Sequence, residues 1–187
     1  MMSRSVSFAI MVLLALLCLP GCYPKITCTI TGTHYDKARN NTSYTVLPYG
    51  SVSLPGEWVA SKYFQPARQQ WFTNKDSVSL SISFGPGNKF EFSKEGLNGF
   101  AFAKAYYDWE AKYESEHLRV KVKLVEADSI NQYVIAKIYN DSANTIALYG
   151  GRECACKEGA FQHFTISGRK MNDDEMIRFL RDIFLKK

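Results

Sequence analysis

The chain has 187 residues, of which 46% are hydrophobic, 14% aromatic and 22% charged. This composition is typical of a globular protein and excludes an intrinsically disordered one. The formal net charge of +5 is too small and too dispersed to indicate a nucleic-acid-binding protein, so we expect no nucleic-acid partner.

The first residues have the three zones of an export signal. A basic start ends at Arg4, an apolar stretch runs from Val6 to Leu19, and small residues follow. A membrane-spanning helix needs about 20 apolar residues, and this shorter stretch runs directly into Pro20. The pattern predicts a signal peptide over residues 1–21 that is removed from the mature protein.

The end of this segment, Leu19-Pro20-Gly21-Cys22, resembles the lipobox of bacterial lipoproteins. The resemblance implies that Cys22 receives diacylglycerol and becomes the mature N-terminus. Pro20 stands where a small or hydroxyl residue is usual, and this departure lowers the expected efficiency of signal-peptide cleavage. Several acyl chains make attachment effectively permanent. The alternative is an ordinary secretory signal with an incidental cysteine near the cut.

The residue after the presumed anchor bears on its location. Tyr23 stands there rather than Asp, which is similar to the pattern that is sorted to the outer membrane in proteobacterial envelopes. The resemblance implies a lipid-anchored envelope protein that faces the periplasm.

Residues 23–43 are polar and show neither a helical nor a strand period until their end. Residues 22–43 are therefore predicted to be a tether, and residues 44–187 a single domain.

Seven strands are predicted from periodicity and turn signals. The clearest spans residues 77–84, where Val78, Leu80, Ile82 and Phe84 alternate with serines, as in a strand with one buried face. Weaker strands are predicted at residues 52–54, 70–73, 118–126, 132–139, 145–149 and 160–166. Short polar turns join the last four, which indicates an antiparallel meander.

A long middle helix is predicted over residues 97–117. Phe102, Tyr106, Trp109 and Tyr113 are spaced by four, three and four, which draws an apolar stripe expected to pack on the sheet. A ligand platform is the alternative interpretation of this stripe.

The middle helix also carries acidic residues, namely Asp108, Glu110, Glu114 and Glu116. Paired acids would suit glycoside chemistry. Charges opposite an apolar stripe normally form the solvated face of a helix, and we expect that role here.

A closing helix begins with a strong local signal. Asn172 is the predicted N-cap, and Glu175 stands at the third helical position to complete a capping box. Further along, Ile177, Leu180, Ile183 and Phe184 are predicted to face inward.

Together these elements predict an α+β domain in which helices flank an antiparallel sheet. Residues 51–58 (SVSLPGEW), residues 70–75 (QWFTNK) and the ending from Phe161 to Phe184 resemble the PsbP-like superfamily. That group includes photosystem II accessory proteins, a Ran-binding nuclear import factor and many bacterial lipoproteins. The resemblance implies an α/β/α sandwich and non-catalytic accessory binding, and it brings no catalytic residues.

Three cysteines remain if Cys22 is lipidated: Cys28, Cys154 and Cys156. A disulfide is expected in an oxidising compartment. Cys154 and Cys156 could bridge each other only with strain, so a bridge from Cys28 to one of them is easier. A zinc site formed by the three thiolates and His163 is the alternative, although the paired Cys-x-x-Cys spacing is missing.

No catalytic motif surrounds the three histidines, His34, His117 and His163, and no cofactor is predicted. His163 alternates with Phe161 and Thr165 on a predicted strand. It is either a base in a cleft or a hydrogen-bonded, half-buried ring, and the second is favoured when no partner is apparent.

Arg119, Lys121 and Lys123 form a basic row along one face of a predicted strand. This row could bind anionic lipid or an acidic protein. The alternative is a solvated sheet face, on which lysines discourage edge association.

The sequence as a whole favours a non-enzymatic, membrane-anchored lipoprotein that acts as an accessory or protein-binding module in the cell envelope. Two alternatives stay open. One is an immunity or inhibitor lipoprotein that neutralises a secreted toxin. The other is a periplasmic hydrolase with a site assembled only in three dimensions, which a deep cleft joining His163 to carboxylates would favour.

Overall fold

The computed structural model describes residues 29–93, 97–152 and 160–186. Within these ranges the predicted α+β class is confirmed, because strands pair in antiparallel sheets beside two α-helices. The helices are α1 (Gly99–His117) and α2 (Asp173–Leu185).

A three-stranded sheet has the order β1-β2-β3. It consists of β1 (Ile30–Asp36), β2 (Asn41–Leu47) and β3 (Gly50–Pro55). A seven-stranded sheet has the order β4-β5-β6-β10-β9-β8-β7. It consists of β4 (Trp58–Phe64), β5 (Gln69–Asn74), β6 (Ser79–Pro86), β7 (Lys121–Asp128), β8 (Tyr133–Tyr139), β9 (Asn144–Arg152) and β10 (Ala160–Ser167). The predicted meander is confirmed, since β7, β8, β9 and β10 pair in chain order.

The predicted tether over residues 22–43 is wrong from Ile30 onward. All of β1 and the start of β2 lie in this segment, and they pair antiparallel with each other. The first five residues of β1 are exposed, so its sequence carries no inward-facing apolar pattern. In β2, buried Thr42, Tyr44 and Val46 alternate with less buried residues, and this alternation begins two residues before the predicted domain boundary.

Strand β4 was missed for the same reason. Only Trp58 of its seven residues is buried, because β4 lies at the edge of the seven-stranded sheet. A strand that is held mainly by backbone pairing has no periodic side-chain signal to detect.

Two hydrophobic clusters lie on opposite faces of the seven-stranded sheet. Tyr133 and Ile135 belong to the cluster that contains α2 and the three-stranded sheet. Val134 and Ala136 belong to the cluster beneath α1. Successive side chains of a strand point to opposite faces, so α1 and α2 pack on different sides of this sheet.

The predicted capping box of α2 is confirmed. The Glu175 backbone N–H donates to the Asn172 side chain at 3.0 Å, and the Asn172 N–H donates to the Glu175 carboxylate at 2.8 Å. Leu180, Ile183 and Phe184 are buried as predicted. The amphipathic pattern and its start signal therefore fix both the position and the inward face of α2.

The aromatic stripe of α1 packs into the core only along its first half. Phe102 and Tyr106 are buried, whereas Trp109 is half-buried and Tyr113 is 49% exposed. The prediction that the whole stripe is core is therefore wrong at Tyr113. Tyr106, Trp109 and Tyr113 instead line a groove along the side of α1.

Candidate functional site

A groove of about 640 Å³ lies between α1 and the tip of the β4–β5 hairpin. We call it the aromatic groove and define it by these lining residues: Phe64, Arg68, Lys89, Phe90, Trp109, Glu110 and Tyr113. Its volume is within the range of pockets that hold small ligands or single peptide side chains. Its floor is formed by Tyr106 and Phe161, which also belong to the core beneath α1.

The aromatic walls of the groove are fixed by ring contacts. Trp109 stacks on Tyr113, with ring centroids 6.1 Å apart and planes 12° from parallel. The Trp109 indole N–H donates to Glu91 Oε1 at 2.8 Å. Phe90 contacts Phe161 edge-on at 4.9 Å. These contacts hold the walls in place while Phe64 and Tyr113 remain 45% and 49% exposed.

Two cations line the groove. Arg68 belongs to the β4–β5 turn, with its guanidinium 5.8 Å from the centre of the Tyr49 ring. Lys89 ends a short 3-10 turn that precedes Phe90. Among the described residues, neither cation forms an ion pair. Within the described ranges, both cations are therefore available to an anionic ligand.

A cluster of buried polar side chains lies beneath the groove. Tyr106, Glu110 and Glu114 occupy successive turns of α1, Tyr149 comes from β9, and His163 comes from β10. The imidazole of His163 stacks on the Tyr149 ring at 4.8 Å. Its Nδ1 lies 3.5 Å from the Tyr106 hydroxyl, and its Nε2 lies 3.5 Å from Glu110 Oε2. We call these five residues the buried acid–histidine cluster.

Burial perturbs the acid–base chemistry of this cluster. Burial raises the pKa of Glu110 to about 7. The nearby Tyr149 hydroxyl acts in the opposite direction and lowers this pKa, although the two groups do not form a hydrogen bond of good geometry. Burial and the charge of Glu110 raise the pKa of Glu114 to about 7. Burial lowers the pKa of His163 to about 4. At neutral pH the imidazole is therefore uncharged, and each carboxyl group is close to half-protonated.

Four atoms of the cluster form no hydrogen bond within the described residues. They are Glu110 Oε2, Glu114 Oε2, the Tyr149 hydroxyl oxygen and His163 Nε2. Buried polar atoms in proteins are nearly always paired, and perturbed carboxyl and imidazole groups concentrate at functional sites. Since Glu110 also lines the aromatic groove, the cluster and the groove form one candidate site.

The site corrects two sequence predictions. Glu110 and Glu114 were expected on the solvated face of α1, but both lie inward, while Asp108 and Glu116 are exposed as expected. His163 was expected to be a hydrogen-bonded, half-buried ring, but it is buried and also stands beside a carboxyl group. The four-residue spacing from Tyr106 through Glu110 to Glu114 continues the inward stripe and could have indicated this arrangement.

The cluster lacks an activated nucleophile. Ser83 pairs directly opposite His163 across β6 and β10 and is buried, but no hydrogen bond joins its hydroxyl to the imidazole. The two ring nitrogens instead face Tyr106 and Glu110. A hydroxyl nucleophile needs its base within hydrogen-bonding reach, so the arrangement does not support nucleophilic catalysis by Ser83.

The remaining predicted sites are only partly described. Cys22, Cys28, Cys154 and Cys156 lie outside the described residues, as does most of the alternative zinc site with His163. Across residues 29–93, 97–152 and 160–186, no group of three or more His, Cys, Asp or Glu side chains could hold a metal ion.

The basic row is shorter than expected. Lys121 and Lys123 are exposed on β7, an edge strand. Arg119 precedes the strand in a left-handed conformation with φ of 54°. The backbone therefore turns at Arg119, and the predicted strand over residues 118–126 is wrong at its start.

No model of a known protein family matches this chain, and no curated protein matches it. None of the described helices is both long enough and apolar enough to cross a membrane. The function is therefore argued from the site itself.

Proposed function

We propose that this chain is a non-enzymatic lipoprotein, anchored through Cys22, that presents a protein-binding domain in the cell envelope with the aromatic groove as its binding surface. One observation carries the proposal: aromatic side chains remain exposed around a groove whose two lining cations form no ion pair with any described residue. Tryptophan, tyrosine and arginine dominate the binding energy of protein interfaces, and clustered exposed apolar side chains mark interaction surfaces.

The anchor and the location are part of the proposal and rest on the sequence. Cys22 would carry the lipid, and the outer membrane with a periplasm-facing domain is the proposed location. Because β1 begins at Ile30, the segment after Cys22 can span at most about 28 Å when fully extended. The groove would then work close to the membrane surface. A disulfide from Cys28 to Cys154 or Cys156 is also proposed.

We also propose that the domain is a PsbP-like α/β/α sandwich. The packing of α1 and α2 on opposite faces of the seven-stranded sheet supports this assignment. The three-stranded sheet shares the face of α2 and would be an addition to that arrangement.

A periplasmic hydrolase is the second candidate, and the contact between Glu110 and His163 favours it. A carboxyl group with a pKa of about 7 could act as a general acid or base at neutral pH. The absence of a paired nucleophile among the described residues ranks this candidate below the binding function. Hydrolysis of any ester, peptide or glycoside substrate that is abolished by Glu110→Gln would reverse this order.

In-cell photocrosslinking tests the binding function. A benzophenone amino acid is placed at Tyr113, in the groove, and in a control strain at Lys123, on the opposite edge of the sheet. We expect a specific protein adduct from position 113 and none from position 123. Adducts from position 123 alone would assign binding to the basic row, and the failure to recover any adduct would contradict the proposal.

A further inference from the structure

We propose that the aromatic groove recognises an extended peptide segment in which an aromatic side chain stands next to acidic ones. This inference rests on the proposed function, because it takes the groove to be a protein-binding surface. It adds the chemistry of the partner, which follows from the charges, the aromatic walls and the neighbouring strand edge.

The charge of the groove favours an anionic ligand. Arg68 and Lys89 are its lining cations, and among the described residues neither has a carboxylate partner. Glu110 is the lining acid, but its side chain is only 19% exposed and its Oε2 is buried. Glu91 accepts the Trp109 N–H and is not part of the lining. An acidic side chain in the groove would therefore meet two cations that form no ion pair within the described part of the chain.

The carboxyl group of Glu110 does not oppose such a ligand. Burial raises the pKa of Glu110 to about 7, so a large fraction is protonated near neutral pH and can donate a hydrogen bond. The charged and titratable groups around it are Glu114, Tyr106, Tyr149 and His163, and the groups in the groove are Arg68 and Lys89. An incoming carboxylate would favour the protonated form of Glu110 further.

The aromatic walls favour a ring as the second feature of the ligand. Phe64 and Tyr113 line the groove and are 45% and 49% exposed, and Tyr113 is stacked between Trp109 and His117. A ring that enters the groove would form offset or edge-to-face contacts, which add to the stabilisation from buried apolar area.

The position of β4 favours a peptide over a free aromatic acid. Among the strands that the structure describes, β4 pairs with β5 alone and lies at the edge of the seven-stranded sheet. Its last residue, Phe64, lines the groove. Unpaired backbone groups on an edge strand can bind an added strand, and a segment that pairs along β4 would deliver its side chains into the groove.

Fluorescence anisotropy with labelled six-residue peptides tests this inference. Three peptides share their flanks and differ in the centre, which reads Asp-Phe-Asp, Asn-Phe-Asn or Asp-Ala-Asp. The protein is the mature chain with Cys22→Ser. We expect the first peptide to bind at least about tenfold more tightly than either of the others. Equal affinities for the acidic and amide peptides, or no binding of the first peptide, would overturn the proposal.

Variants locate the binding. The double variant Arg68→Gln/Lys89→Gln is expected to reduce binding of the acidic peptide to the level of the amide peptide. The variant Lys121→Gln/Lys123→Gln removes the same charge from the basic row and is expected to change nothing. Arg68→Lys keeps the charge and should retain most of the affinity. A loss of affinity only in the Lys121→Gln/Lys123→Gln variant would contradict the inference.

The two proposals can fail separately. A crosslinked partner from position 113 together with equal binding of all three peptides would keep the groove as the binding surface and reject the acidic, aromatic ligand. If position 113 yields no partner and the first peptide does not bind, both proposals fall.

Discussion

Replacing Glu110 with Gln should make the protein less sensitive to alkaline conditions. The free carboxyl group has a pKa of 4.5, and burial raises the pKa of Glu110 to about 7 in the folded protein. The proton is therefore bound more tightly when the chain is folded. The stabilisation from this protonated group is fully present below pH 4.5 and is lost as the pH rises through 7.

The expected size follows from the difference between the two pKa values. Each unit of difference between the folded and unfolded pKa is worth about 1.4 kcal/mol. The rise of the Glu110 pKa to about 7 therefore corresponds to about 3 kcal/mol of unfolding free energy that is lost between pH 4.5 and pH 8. Because the side chain is only 19% exposed, solvent screening reduces this figure little. Glu114 adds to the difference, since part of the rise in its pKa comes from the charge of Glu110.

Urea unfolding at pH 5, 6, 7 and 8, followed by tryptophan fluorescence, measures the effect. At each pH, the unfolding free energy of Glu110→Gln is compared with that of the native chain. Only the change of this difference with pH is interpreted, because the cost of burying the new amide is the same at every pH and cancels. The variant should gain up to about 3 kcal/mol relative to the native chain as the pH rises. Glu116→Gln, on the exposed side of α1, is the matched control. A stability difference that stays constant with pH would refute the buried-acid interpretation.

Four further predictions concern the cluster, the core, the helix cap and the anchor. Burial lowers the pKa of His163 from 6.5 to about 4, so the folded protein loses stability as the pH falls through 4. His163→Gln should remove this loss, which is about 3 kcal/mol of unfolding free energy between pH 7 and pH 4 in urea titrations. Gly151→Ala would place its Cβ 2.0 Å from the carbonyl oxygen of Gly99 and should cost about 3 kcal/mol in urea unfolding, whereas Gly32→Ala, with nothing within 4 Å, should have almost no effect. Asn172→Ala removes the cap of α2 and should lower the unfolding free energy by about 1 kcal/mol. An unchanged unfolding free energy would mean that the capping box does not stabilise the fold. Cys22→Ser should abolish incorporation of a labelled fatty acid into the protein, and equal labelling of the variant and the native chain would contradict the lipid anchor.

The sequence predicted most of the elements in which side-chain periodicity and burial coincide, but it missed β2, where buried Thr42, Tyr44 and Val46 alternate with less buried residues. β6 has alternating apolar residues, and α2 has an amphipathic pattern with an N-cap at Asn172, so both were placed to within about two residues. β1 and β4 were missed because nearly all their side chains are exposed. Backbone pairing to β2 and β5 defines these strands, and that pairing leaves no local pattern in the sequence.

The candidate site was harder to predict, since its parts are distant in sequence. Glu110 and His163 are 53 positions apart and meet because α1 packs across β7, β8 and β9, next to β10, which carries His163. The helical spacing of Tyr106, Glu110 and Glu114 was visible, but a charged residue is ordinarily assigned to solvent. Burial of the two glutamates reflects the sheet beneath them, and this information was not local.

The central claim is that the aromatic groove binds a protein partner. The most direct measurement is the NMR spectrum of the tryptophan indoles while the partner segment recovered by crosslinking is added. The chain has three tryptophans. The signal of Trp109, in the groove, should shift on binding, whereas the signal of Trp58, which is buried and donates to Pro55, should stay in place. Partner binding that leaves the Trp109 signal unchanged would contradict the account.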